Sequence, residues 1–152
     1  MFTDPDGNAL DLPLSECSDD AALELLQFGE LEILGRMPWS SNGTFLCVVR
    51  GSDDALTAIY KPRDTERPLW DFPEGTLWQR ELASYVTSRA LGWELVPPTA
   101  PRDDDELGPG SIQRFVMHDP NEHAFTLFDG NEDRFRTFAA FDIIVNNADR
   151  KG

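Results

Sequence analysis

At 152 residues, 40% of them apolar, the chain is the size of one domain with one sizeable core. Asp and Glu outnumber Lys and Arg 28 to 13, and the net charge of -15 disfavours nonspecific contact with nucleic acid or an anionic membrane surface. No apolar run approaches a bilayer span, and the N-terminus, MFTDPDGNALDLPLSE, carries neither a basic region nor an apolar signal core, so a cytoplasmic protein without a transmembrane segment is expected.

Residues 1–17 lack periodicity and are broken by Pro5, Gly7 and Pro13, which predicts an extended or mobile arm. Ser18-Asp19-Asp20 caps a short helix over about 19–28, and Gly29 ends it. Leu31, Ile33 and Leu34 predict a first strand, and Thr44 to Val49 a second. The stretch between them, GRMPWSSNG, holds the turn signal Asn42-Gly43. Its Gly and Ser residues suit backbone N–H groups laid over a phosphate, although a plain hairpin has the same pattern. It is not a Walker A sequence and lacks that motif's lysine. Cys17 and Cys47 make no disulfide framework and no metal spacing, so both are expected as reduced, partly buried thiols.

A third strand, Ala55 to Lys61, ends in a lone cation followed by Pro62. Pro62 to Gly75 reads as a connection held by prolines, with Trp70 and Phe72 expected to pack against the fold. Thr76 and Gln79 have capping-box spacing, and a helix runs from there to about Leu91, before Gly92. Leu77, Trp78, Leu82, Tyr85, Val86 and Ala90 form its apolar stripe, and Glu81 borders that stripe. An acid beside a buried face needs a partner, and a cation from the neighbouring strand satisfies it. A strand ending in Lys and a helix carrying Glu are the parts of a kinase-type phosphate clamp.

Trp93 to Thr99 predicts a fourth strand at a sheet edge, Arg102 to Pro109 an acidic turn, and Ser111 to Met117 a fifth strand. His118 and His123 fall in a polar connection without metal spacing. Asn131 or Asp129 caps a helix over about 132–145, with Phe135, Phe138, Ala139, Asp142, Ile143 and Val145 toward its buried side. The chain then reads NNADRKG. Asp149 and Arg150 after a buried helix, with Asn147 nearby, suit a catalytic loop in which the acid takes the proton of an attacking hydroxyl. A frayed polar C-terminus reads the same way. Nucleic-acid binding is set aside, because no basic patch with interleaved aromatics is present.

The segments GRMPWSSNGTFL, AIYKPRDTERPLWDFPEGTLWQRELASYVTSRALGWELVPPT, GSIQRFV and FDIIVNNADRKG resemble the phosphatidylinositol 3-/4-kinase-like proteins of actinobacteria and, more remotely, the type II phosphatidylinositol 4-kinases. The resemblance spans about Leu31 to Gly152. It implies an α+β, protein-kinase-like fold: a small antiparallel β lobe with one long helix, then the first part of a helical lobe. The divisions are 1–29, an acidic arm and short helix; 30–117, the small lobe; and 118–152, the hinge and start of the large lobe. By the same resemblance Ser40, Ser41, Asn42, Gly43 and Thr44 form the loop over the phosphates of ATP. Lys61 contacts those phosphates, Glu81 pairs with Lys61, and the strand holding Gln113 leads to the hinge beside adenine. Asp149 is the catalytic-loop acid, supported by Asn146, Asn147 and Arg150.

The resemblance also marks a departure. Family members continue with an Ile-Asp-His-Gly-like motif whose Asp holds magnesium, and no such motif follows Gly152. Kinase-like domains of this kind take on the order of 250 residues. The expectation is therefore a truncated phosphotransferase domain, inactive as this chain. Its phosphate acceptor can be an inositol lipid, a protein or a small molecule. The alternative is a noncatalytic kinase-like module that binds a nucleotide or a partner.

Overall fold

The computed structural model describes residue 10 and residues 12–37, 43–119 and 121–147. The described residues form an α+β fold with one five-stranded antiparallel sheet and four α-helices. In chain order these are α1 (Asp19–Phe28), β1 (Glu30–Arg36), β2 (Phe45–Arg50), β3 (Ala55–Pro62), α2 (Leu77–Ala90), β4 (Thr99–Asp104), β5 (Gly108–Arg114), α3 (Ala124–Leu127) and α4 (Glu132–Val145). The sheet order is β1-β2-β3-β5-β4. The first three strands form a meander. The long connection through α2 carries the chain to the far edge, and the β4–β5 hairpin folds back so that β5 pairs with β3. None of the described helices is long and apolar enough to cross a membrane.

Strand alternation decides what each face of the sheet carries. Leu56, Ala58 and Tyr60 of β3 point into one core with Cys47 and Val49 of β2, Ala100 of β4 and Ile112 of β5. Ala22 and Leu26 of α1 close that core, so the short N-terminal helix is part of the same packed unit as the sheet. Arg102 fastens α1 further, donating to the Leu26 and Gly29 carbonyls at 3.0 and 2.8 Å. These groups are orphan acceptors at the end of the helix. A bulge between Ile33 and Gly35 shifts the β1–β2 register, which puts Leu31 and Leu34 on half-buried positions and leaves Ile33 exposed.

Several sequence expectations are corrected. The last residues of the expected arm are tied down: the Pro13 carbonyl accepts both the N–H and the hydroxyl of Thr57 at 2.9 Å, and Arg114 donates to the Ser15 and Cys17 carbonyls. The fourth strand is not Trp93 to Thr99. Leu95 and Val96 give their N–H groups to the Ser88 hydroxyl, and Pro97 and Pro98 have none to give, so no ladder forms until Thr99. The acidic turn shrinks correspondingly. Asp103 and Asp104 lie in β4, and the Asp104 carboxylate accepts from Glu106 and Leu107 N–H to fold a tight turn.

The predicted capping box at Thr76 is absent. Thr76 donates instead to the Pro73 carbonyl at 2.6 Å, and the N-terminus of α2 is capped by Glu66. Trp70 is 97% exposed and packs against nothing, whereas Phe72 lies under the Arg80 guanidinium. The short helix α3, with His123 at its N-cap, starts just past the polar connection that holds His118 and His123, in a stretch for which the sequence predicts no element. On α4 the buried residue is Phe141, which meets Trp93 edge-on, while Ala139 and Ile143 face solvent. Phe135, Phe138, Asp142 and Val145 are half-buried as expected, and the buried side extends to Phe141 because α4 packs there on Trp93, in the chain that leaves α2.

Candidate functional site

The face of the sheet opposite the α1 core carries the Lys61–Glu81 pair. In β3, the residues that alternate with the core set end at Lys61. In β5 the same alternation presents Ser111, which pairs directly with Lys61. Gly110 makes this approach possible. A Cβ there would meet the Lys61 carbonyl oxygen at 2.4 Å and the Pro62 Cα at 2.8 Å.

Helix α2 supplies the acid. Tyr85 and Ser88 are its most buried residues, and Glu81 stands one turn before Tyr85 on the same face. The Glu66 carboxylate starts this helix by accepting from Leu77 and Trp78 N–H at 3.1 and 2.6 Å. Its end is a Schellman motif: Gly92 has φ +66, and Trp93 N–H donates to the Ser88 carbonyl.

Lys61 Nζ donates to both oxygens of Glu81, at 2.8 Å to Oε1 and 2.9 Å to Oε2. Ser111 Oγ donates to Oε2 at 3.3 Å. Two strands and one helix thus converge on one carboxylate. The Lys61 and Glu81 side chains are 33% and 34% exposed. The ammonium is therefore held in a fixed place yet open to an anion from solvent, which is the requirement for a phosphate-contacting lysine.

The remaining predicted site residues fall as follows. Gly43 is buried, its N–H donates to the Thr65 carbonyl at 3.3 Å, and its carbonyl accepts the Thr65 hydroxyl at 2.7 Å. That N–H is thus taken by Thr65. Thr44 is buried, and its carbonyl accepts from Met37 N–H at 2.8 Å. Gln113 lies two residues along β5 from Ser111, and its amide donates to Thr99 Oγ1 at 2.8 Å. Asn147 closes α4, with its N–H on the Asp142 carbonyl at 2.8 Å and its side chain on Asp142 Oδ1 at 3.0 Å. Ser40, Ser41, Asn42, Asp149 and Arg150 lie outside the described residues.

Among the described residues no group of three His, Cys, Asp or Glu side chains can hold a metal ion. The magnesium that the resemblance implies finds no such donor set among the described residues. A cleft of about 760 Å³ lies elsewhere, bounded by residues 13–16, 94–98 and 114–117, and neither Lys61 nor Glu81 lines it.

Sequence reasoning missed Ser111 and Glu66. Ser111 carries a weak signal, a hydroxyl within an otherwise strand-like stretch. Its partner becomes visible only once β5 is known to pair with β3.

The chain is similar to Protein Rv2133c of Mycobacterium tuberculosis, 38% identical over 162 aligned positions. The alignment takes in 84% of this chain but 58% of that protein, so the chain spans less than two thirds of its relative's length. No family model matches the chain. No solved structure matches it.

Proposed function

We propose that this chain is the nucleotide-binding part of an ATP-dependent phosphotransferase of the phosphatidylinositol 3-/4-kinase-like kind, with a protein-kinase-like arrangement of sheet and helix α2. The observation that carries the reading is the two-toothed Lys61–Glu81 ion pair between the end of a central strand and the buried face of a capped helix. In such a site the lysine ammonium draws the phosphate oxygens, and the glutamate keeps it from swinging into solvent. Here Ser111 adds a second hold on the glutamate. On the same reading Asp149 takes the proton of the acceptor hydroxyl, which rests on the sequence resemblance alone. The acceptor is an inositol lipid, a protein or a small molecule. The net charge of -15 argues against a protein that dwells on anionic membranes.

The test is calorimetric titration of the chain with ATP, with and without Lys61→Ala. Loss of roughly 10-fold or more in affinity is expected for the removal of a charge-assisted contact. Equal affinity in both proteins overturns the nucleotide reading.

A second reading, a noncatalytic module that binds a partner, is favoured by a different observation. Phe125 on α3 and Ile143 on α4 are 87% and 82% exposed. Apolar side chains so placed suit a covered surface. Phosphate transfer by the chain itself would rule this second reading out.

A further inference from the structure

We infer that Arg80 is a positioning residue that ties α2, and through it the Lys61–Glu81 pair, to the C-terminal end of α4. Neighbours on a helix point about 100° apart, so Arg80 and Glu81 reach different partners from one rigid segment. Glu81 reaches the sheet. Arg80 Nη2 donates to the Val145 carbonyl at 3.0 Å, a contact between residues 65 positions apart. Its guanidinium lies 4.2 Å from the centre of the Phe72 ring. The ring on one side and the carbonyl at the tip hold the arginine fork in one orientation.

The receiving end is equally well defined. Asn146 adopts the left-handed conformation, with φ 54, and donates to the Ile143 carbonyl, while Asn147 donates to the Asp142 carbonyl. These bonds satisfy two of the carbonyls that a helix end leaves free. Ile144 and Val145 remain, and Arg80 supplies the donor to Val145. Trp93, just past α2, meets Phe141 of α4 with ring centres 6.4 Å apart. Contacts before and after Glu81 thus fix α2 against α4, and a shift of α4 is transmitted to the carboxylate that holds Lys61. By linkage, an anion on Lys61 must in turn bias α4.

The inference rests on the nucleotide reading for its first test only. In calorimetry with magnesium and ATP on the full chain, Arg80→Leu is expected to weaken binding by roughly 5-fold or more. In a Glu81→Gln background the same change should cost less than about 2-fold, because its route of action is gone. Equal losses in both backgrounds overturn the inference. Phe72→Leu leaves every charge in place and should weaken binding in the same direction, which guards against a simple folding defect in Arg80→Leu.

The second test needs no nucleotide. The ¹⁵N resonance of the Lys61 ammonium reports its bond to Glu81. Arg80→Leu should move that signal in the direction that Glu81→Gln moves it. An unmoved signal overturns the coupling, whether or not the chain binds ATP. Absent ATP binding with a moved signal would instead overturn the nucleotide reading and leave the coupling intact.

Discussion

Ser111 sits directly across the β3–β5 ladder from Lys61, and both donate to the same carboxylate, Glu81. The serine is 1% exposed, so its hydroxyl is held by the sheet and does not compete with water. If an anionic ligand pulls the Lys61 ammonium toward itself, Glu81 keeps one donor. Ser111→Ala removes that hold but leaves the ion pair. It should cost about 1 kcal/mol of stability in urea unfolding, the usual net worth of one hydrogen bond. On the nucleotide reading proposed above, it should also reduce ATP affinity. Ser111→Cys, which keeps the volume but donates weakly, should behave like the alanine variant. Wild-type affinity in both would show that the serine only fills space.

Glu66 takes the place that the sequence assigns to Thr76. Its carboxylate accepts two of the N–H groups that open α2, where negative charge also meets the positive helix end. Glu66→Ala should destabilise the chain by about 1 kcal/mol, within the range for lost N-caps. Thr76→Ala should cost less, because its hydroxyl serves only the Pro73 carbonyl. Thermal unfolding of the two variants side by side decides between them, and the reverse order would refute the assignment.

The parts of the site that were legible in the sequence are those with short-range signatures. Lys61 ends a β-rich run before a proline, and Glu81 borders the apolar stripe of a helix stopped by Gly92. Both patterns are local. What escaped notice depends on distant groups. Glu66 caps α2 from across the proline-rich connection, 11 residues before Leu77. The fourth strand moved because the Ser88 hydroxyl takes two N–H groups that a ladder needs. Arg80 looks like any helical arginine until α4 arrives beside it. Trp70 misled for another reason: a large apolar residue is expected inside, yet burial depends on what the prolines on either side of it allow.

Gly110 offers a sharper test of how closely the site is built. Its missing side chain lets β5 run against the Lys61 carbonyl and Pro62 Cα. Both obstacles are backbone, so neither can rotate away. Gly110→Ala should therefore part β3 from β5 and destabilise the chain by roughly 1–3 kcal/mol, as overpacking does. It should also lengthen the Ser111–Glu81 contact and, on the nucleotide reading, lower ATP affinity. Gly35→Ala serves as the control, because a Cβ there meets nothing within 4 Å. Equal stability of the two variants in urea would contradict the close approach.

The α1 core carries a pH dependence of its own. Burial, with the Asp104 charge adding to it, pushes the Cys47 thiol from 9.0 up to about 12. Burial and the same Asp104 charge push the Tyr60 hydroxyl from 10.0 up to about 12. That hydroxyl points at the Arg102 and Gly108 carbonyls, which offer nothing to a phenolate. Both groups stay protonated in the fold at pH values where the unfolded chain has lost the proton. The unfolded state then binds fewer protons, so stability falls as pH rises. The loss should begin near pH 9, steepen past pH 10 as Tyr60 joins, and level off near 12. Each group contributes about 1.4 kcal/mol per pH unit within its window. Below pH 9 neither group affects the slope. Urea midpoints measured between pH 7 and 11 test this, with Cys47→Ala expected to flatten the part between 9 and 10. A midpoint that stays level from pH 9 to 11 in the wild-type chain would mean that both groups ionise freely, and that the core admits water.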